Sequence, residues 1–346
     1  MRNETNTFWK DTTVLVTGAG SFIGSRLVNT LAARGARVRA VIHSASGRID
    51  NLPQVERIKG DLRDRDFARA AMKRIQVVFH LAAYHGGRGF INTHPADCSS
   101  NLVIDGIVFG EAAQAEVERV CFASSACVYP QTLQEMPKNG QIVYLKEEWA
   151  DPFVQGRAAA DREYGWAKLM GEMTLRAYRN QYGLKSVACR LFNAYGEGEN
   201  ETHAVIALIA KAFIRMDPYE IWGDGQQARN FTYVGDIVEG MIHAAEKIDD
   251  ASAVNIGVAE PVKIIDLAKL IFQQTGFTPK SIAFNASQPV GVSYRAADLT
   301  RARQLLNWEP GTTLEEGMRQ TIEWYFANHK VEQVKARLGA LLMERA

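Results

Sequence analysis

The feature that most constrains this chain lies near its start. A β-branched run, Val14-Leu15-Val16-Thr17, passes directly into Gly18-Ala19-Gly20-Ser21-Phe22-Ile23-Gly24, and a helical pattern continues from Phe22 to Arg34. In this strand–turn–helix order, Gly18 permits a tight turn and small residues let the backbone approach a pyrophosphate. Gly24 lets the helix pack closely on the strand. The helix N-terminus adds free N–H groups and the positive end of its dipole. Gly18, Gly20, Ser21, Phe22, Ile23 and Gly24 are therefore assigned to a dinucleotide.

The rest of the first half repeats this alternation. Val38–Ile42, Ile58 with Gly60-Asp61, Val77–Leu81, Val120–Ser124 and Ser186–Leu191 read as strands, with helices between them, one near Val103–Ala115. Continuous apolar runs alternating with helices predict a parallel sheet with right-handed crossovers. At 346 residues, a soft prior of about 150 residues per domain gives two domains. The predicted fold class is α/β, a Rossmann-type doubly wound parallel sheet with a smaller discontinuous C-terminal α/β substrate domain. Residues 1–193 with 231–257 form the first domain, residues 194–230 with 258–330 the second, and residues 331–346 a tail of unread role. The second domain is expected over the carboxyl ends of the strands, where open α/β sheets bind ligands.

Composition narrows the function classes. Lys+Arg number 40 and Asp+Glu 39, a net charge of +1. No electrostatic case exists for nucleic acid or a membrane surface. The most apolar run, Ala204–Met216, is too short for a bilayer and carries Lys211. Cys98, Cys121, Cys127 and Cys189 show no C-x-x-C spacing, so a zinc site or disulfide framework is not expected, and a cytoplasmic protein with reduced thiols is.

The cofactor's ribose should meet an acid about 20 residues beyond the glycines. Val41-Ile42-His43-Ser44 offers none, and the nearest is Asp50. His43 and Arg48 either approach a 2′-phosphate or are solvated loop residues, so NAD is expected with NADP open. Asp61-Leu62 is placed to touch the adenine.

Tyr164 and Lys168 are spaced i, i+4 at the start of a helical pattern and share one face. A lysine there lowers the phenol pKa, and the phenol then exchanges a proton with a substrate hydroxyl. Ser125, at the end of the fifth strand, is placed to hydrogen-bond that hydroxyl.

Together with Leu81-Ala82-Ala83, Arg190–Asn193, Trp222–Gly225, Arg229–Asp236 and Asn255-Ile256-Gly257, these motifs resemble the extended short-chain dehydrogenases/reductases, the nucleotide-sugar epimerases and dehydratases. The likeness runs to about residue 330. Ser21 stands where the family often has glycine, and the long spacing from Ser125 to Tyr164 suggests an inserted loop around Gln131–Ala160. The resemblance implies that Asn193, Arg229 and Arg295 grip the substrate's diphosphate and nucleotide. Trp222 either contacts the nucleotide or belongs to the core. Tyr84, Gly86 and Gly87 fall near the sugar, with His85 beside them. The resemblance also implies a homodimer in which the helices around Val103–Ala115 and Tyr164–Tyr178 pair with their copies, Ala112, Ala113 and Ala115 allowing close approach.

Two residues narrow the choice. If the strand continues past Ser125, Cys127 faces the same side. His203 opens a helix of the second domain, whose positive end favours a neutral imidazole. Cysteine and histidine here resemble the acid/base pair of GDP-fucose synthases, while Leu81–Ile91 and Ser124–Pro130 resemble GDP-mannose 3,5-epimerases, which have lysine where His203 aligns. The implied activity is an NAD-dependent epimerase acting on C3 and C5 of a GDP-mannose-like hexose through a transient 4-keto sugar. Alternatives are a C4 epimerase or C4 oxidoreductase/dehydratase of a UDP-, GDP- or dTDP-sugar, with Cys127 structural, and a non-catalytic cofactor-sensing protein.

Overall fold

The computed structural model describes residues 7–43, 49–135, 141–288 and 290–342. Arg48, part of the inserted loop and the last four residues of the tail lie outside them. Seven strands form one sheet: β1 (Thr13–Thr17), β2 (Arg37–Ile42), β3 (Val55–Lys59), β4 (Val77–His80), β5 (Arg119–Ser125), β6 (Lys185–Leu191) and β7 (Ala253–Ile256). Their order is β3-β2-β1-β4-β5-β6-β7, parallel throughout. The order reverses between β1 and β4, whose last residues Thr17 and His80 pair. That reversal opens a crevice at the strand ends.

The apolar runs are explained by burial on both faces. Val14, Val16, Val77 and Phe79 face α1 (Phe22–Ala33) and α5 (Val234–Lys247), while Leu15, Val78 and Phe122 face α2 (Asn101–Gln114) and α3 (Arg162–Tyr182). Helix α1 begins where the Ser21 hydroxyl accepts the Gly24 N–H, and α3 ends at Gly183 in the left-handed conformation.

A separate core joins α4 (Ala204–Phe213), α6 (Ile264–Thr275), α7 (Leu314–Asn328) and α8 (Val331–Leu341), with Tyr219 and Ile221 from a short strand. The tail has a structural role here: Val334, Leu338 and Leu342 are buried in this core. Ala302, Leu306 and Trp308 instead pack back onto the sheet beside α5. The inserted loop is tied down at its described end, where Leu145 bridges to the 296–298 strip and the Glu147 carboxylate accepts the Asn255 N–H at 2.9 Å. Asn255 is a structural hub. Its side chain takes the Tyr129 hydroxyl and donates to Leu145 and Asp298.

Behind the strand ends lies a buried ion pair. Arg190 clasps Glu172 with two bonds of 3.0 and 2.8 Å, and its third arm reaches the Glu147 carbonyl at 2.7 Å. Ser124 also donates to Glu172. This pair locks α3 onto β5 and β6. Removing one partner of a buried pair typically costs about 3–5 kcal/mol. Glu172→Gln is therefore expected to lower the urea midpoint by an amount equivalent to ~3 kcal/mol or more, with the fold retained by circular dichroism.

Candidate active site

The glycine turn is shaped as a phosphate cradle. Gly18 has φ +64°, and a Cβ on it would lie 2.8 Å from the Ala82 nitrogen. A Cβ on Gly24 would lie 2.1 Å from the Gly18 carbonyl oxygen, so neither position admits a side chain. Ser21 caps the Gly24 N–H, which leaves the Phe22 and Ile23 N–H groups without an acceptor among the described residues. Gly20, Ser21, Phe22 and Ile23 line one end of a cleft of about 580 Å³. Bare N–H groups at a helix start, beside a turn with no room for a Cβ, fit a dinucleotide's pyrophosphate.

Leu81 and Ala83 line the same cleft, as do Tyr164, Lys168, Asn193 and the strand end Ala123–Ser125. Other residues expected at the cofactor lie outside it. Leu62 is buried in the core beneath α2, and the Ala82 N–H bonds the Thr17 hydroxyl. Asp61 is clasped by Arg63 at 2.9 and 2.6 Å, and His43 stands 3.8 Å from it. The Arg63 guanidinium holds the Asp61 carboxyl below its usual range. Tyr84 does not line the cleft. Its N–H bonds Asn101 and its ring lies 5.7 Å from the Arg63 guanidinium.

Around the strand ends, ionisable groups converge. The Lys168 Nζ sits 4.6 Å from the centre of the Phe122 ring and 5.9 Å from that of Tyr164. Burial pushes the Tyr164 phenol pKa up, the Cys127 thiol adds to this, and a hydrogen bond from Ser125 opposes it. Cys127 does line the cleft, for a different reason than strand alternation. β5 ends at Ser125, whose hydroxyl accepts the Cys127 N–H at 3.1 Å and caps a 3₁₀ turn over Ala126–Val128. The turn, rather than a two-residue repeat, brings the thiol back beside the serine.

From the second domain, His203 is the N-cap of α4, with Nε2 3.8 Å from the Glu199 carboxylate. His85 lies between the elements. Its ring centre is 6.4 Å from those of both Tyr164 and His203. The loop after it, with Gly86 and Gly87, also lines the cleft. Gly87 admits no side chain, since a Cβ there would meet the Thr202 carbonyl oxygen at 1.8 Å.

The far end of the cleft is cationic. Arg229 and Arg295 line it, and so does Arg88, which the sequence reading passed over. A Cβ on Gly291 would touch both Arg88 and Arg229, at 3.4 and 3.6 Å. Arg88 pairs with Asp161 at 2.7 Å and Arg295 bonds Gln134, while Arg229, among the described residues, donates to the carbonyls of Val290 and Val292. Burial, with Arg295 and Arg88 nearby, pushes the Arg229 pKa down. Since a guanidinium keeps its proton, that tension favours an anionic ligand. Deeper still lie Trp222, Gln227 and Lys211, whose ammonium donates to the Glu220 carbonyl at 3.0 Å. Leu342 of the tail closes one wall. No periodicity marked Arg88 or Leu342; each reaches the cleft only through packing. Among the described residues no group of His, Cys, Asp and Glu is arranged to hold a metal ion, and no helix is long and apolar enough to cross a membrane.

Fold and cleft together define the class, an enzyme of the extended short-chain dehydrogenase/reductase type. Residues 14–257 match the NAD dependent epimerase/dehydratase family, and the chain belongs to that family. Its cofactor is NAD. A dTDP-4-dehydro-6-deoxy-D-allose reductase from Streptomyces sp is 31% identical over 92% of this chain and 97% of its own length. GDP-mannose 3,5-epimerase 1 from Oryza sativa subsp. indica is 32% identical over 90% of this chain and 81% of its own. Among solved structures, UDP-glucose 4-epimerase from Thermotoga maritima with UDP-glucose superposes with a TM-score of 0.80 at 27% identity, covering 91% of this chain and 98% of that one.

The cationic end gives a direct expectation. Inorganic diphosphate should bind wild-type protein, and Arg88→Gln and Arg229→Gln should each weaken it about tenfold, since one charge-assisted hydrogen bond is worth about 1.5–3 kcal/mol. Calorimetric titration at low salt measures this.

Proposed function

We propose that the protein is a nucleotide-sugar epimerase that works through a transient C4 ketone and moves protons at C3 and C5 of a GDP-linked hexose. The observation carrying this reading is the company that Tyr164 keeps. Cys127, His203 and His85 line the same cleft as Tyr164 and Lys168. A C4-only epimerase needs the tyrosine and a sugar that can turn over. It has no use for a thiol and an imidazole supplied from two different domains.

The Phe22 and Ile23 N–H groups at the phosphate loop would hold NAD, whose nicotinamide would supply a reversible hydride acceptor for C4. Tyr164 takes the proton of the C4 hydroxyl, Ser125 holds that hydroxyl in place, and the Lys168 ammonium stabilises the phenolate. The ketone at C4 acidifies the protons on C3 and C5. Cys127 and His203 then remove and return a proton from opposite sides, and Tyr164 finally restores the hydroxyl proton. Arg88, Arg229 and Arg295 hold the diphosphate, as bidentate guanidinium groups do well. The Gln227 amide oxygen is buried with no hydrogen-bond partner among the described residues, while its Nε2 donates to the Trp222 carbonyl at 2.7 Å. An unfilled acceptor in the cleft suits a ring N–H of the base, and guanine offers an adjacent amine as well.

The epimerase from rice supports the GDP reading. The reductase from Streptomyces favours a second one, a C4 oxidoreductase. In deuterated water, the epimerase should wash solvent deuterium into C5, and into C3, of GDP-mannose with no net consumption of NADH. Cys127→Ser should slow the exchange by about 10²-fold or more, the range for a positioned acid–base group. His203→Ala should leave exchange but little inverted product, and Tyr164→Phe should stop both. Turnover with no deuterium at C3 or C5 would falsify this reading, and stoichiometric NADH loss would establish the second.

The second copy is also part of the proposal. Leu102 and Val103 on α2, and Trp166 and Met170 on α3, are exposed apolar residues on the helices expected to pair. Ala112 does not serve that surface. It is fully buried in the core under the sheet. Light scattering should give twice 38.4 kDa for wild type and the single mass for Trp166→Glu.

A further inference from the structure

One buried carboxylate has no part in the scheme above. Asp105, on α2, is 2% exposed. Its Oδ1 lies 2.9 Å from His80 Nε2, and its Oδ2 is buried with no hydrogen-bond partner among the described residues. The protons along this chain can be placed. The Thr17 hydroxyl oxygen accepts the N–H groups of Leu81 and Ala82 at 3.0 and 3.1 Å, so its own hydrogen goes to His80 Nδ1 at 2.7 Å. His80 therefore carries its proton on Nε2 and donates it to Asp105. Burial keeps this imidazole's pKa low, so a neutral histidine leaves the charge of Asp105 uncompensated. Such a charge is costly in a protein interior unless a partner stands nearby.

The partner comes through a gap in α3. Gly171 lies one turn beyond Lys168, and a Cβ on it would fall 2.9 Å from Asp105 Oδ2 and 2.7 Å from the Phe122 ring. The Lys168 ammonium rests over that same ring and is 1% exposed. No hydrogen bond joins its Nζ to the described residues. Lys168 also faces Tyr164 and Glu172 on its own helix and His80 on β4, but Glu172 is engaged by Arg190 of β6. Tyr164 faces Ser125, Cys127, Cys98 and His85, and more weakly Asp105 itself. Burial works against the lysine's charge. The opposing carboxylates are Asp105 first and Glu172 second.

We propose that Asp105 is a positioning residue whose free carboxylate oxygen keeps Lys168 in its ammonium form, and that the His80–Thr17 chain holds this carboxylate in register with the phosphate loop. The proposal deepens the reading in which Tyr164 and Lys168 carry the proton step, and it rests on that reading for its kinetic consequence alone. Asp105→Asn keeps an acceptor for His80 and removes the charge. Losing a nearby anion makes a lysine give up its proton at lower pH. The alkaline limb of kcat/KM should therefore move down by about one pH unit, which is about tenfold less turnover above it. On a Lys168→Met background the same change should move nothing.

A second measurement needs no substrate. In protein with lysines labelled with nitrogen-15 and NAD bound, the Lys168 Nζ signal is the one missing from Lys168→Met. It should report an ammonium at pH 7 in wild type and a titration about one unit lower in Asp105→Asn. A neutral Lys168 at pH 7 in wild type, or identical titrations in the two proteins, overturns the proposal. The wild-type spectrum decides even if Asp105→Asn fails to fold. Absence of sugar turnover sinks the functional reading and leaves this measurement standing.

Discussion

Thr17 and His80 stand side by side at the carboxyl ends of β1 and β4, and the bond between their side chains holds open the place where everything else collects. β1 turns into the phosphate loop toward one face of the sheet, while β4 leads toward the other. The Thr17 hydroxyl also takes the first two N–H groups beyond β4, so the path of the chain into His85, Gly86 and Gly87 starts from the same atom. Through it, the Leu81 and Ala82 N–H groups at the end of β4 find an acceptor.

Burial of charge is the second theme, and it follows from the first. Helix α3 lies across the strand ends and must bring Lys168 and Glu172 under the sheet's edge. Arg190 answers Glu172 through two good hydrogen bonds. Glu147, from the inserted loop, is instead answered by the Asn255 backbone, and burial pushes its pKa up. The inserted loop, the end of β7 and the 296–298 strip are thus joined through Asn255 and Leu145. The opposite end has a different balance. Arg88, Arg229 and Arg295 gather where, among the described residues, Asp161 is the carboxylate paired with one of them, which favours a ligand that brings negative charge. The second domain sets the distance between this end and the strand ends, and with it the length of molecule the cleft accepts.

Much of this was legible residue by residue. The glycine turn, the apolar runs buried on two faces and the i, i+4 spacing of Tyr164 and Lys168 are local or periodic signals, while Arg229 and Arg295 come from the family resemblance, and all of them meet in the architecture and cleft observed. Other placements depend on more than local pattern. Cys127 reaches the cleft because the Ser125 hydroxyl ends β5 and turns the chain, not because the strand continues. Tyr84 follows the same strand as His85, but one residue's difference sends its ring to Arg63. Ala112 reads as a small surface residue of a helix, and its face is set by which side of the sheet α2 covers.

The sequence by itself determined the class of fold, the glycine turn after β1 and the side chains that the end of β5 and the start of α3 bring to the cleft. Each depends on neighbours within a turn or a strand, where backbone geometry dictates what faces what. Only the tertiary structure decided that Arg88 joins Arg229, that His85 sits between Tyr164 and His203, that the tail helix walls the cleft and that Asp105 reaches α3 through Gly171. Those contacts cross from one element to another, and their distances are set by how helices pack on the sheet. No periodicity in a single chain segment records that.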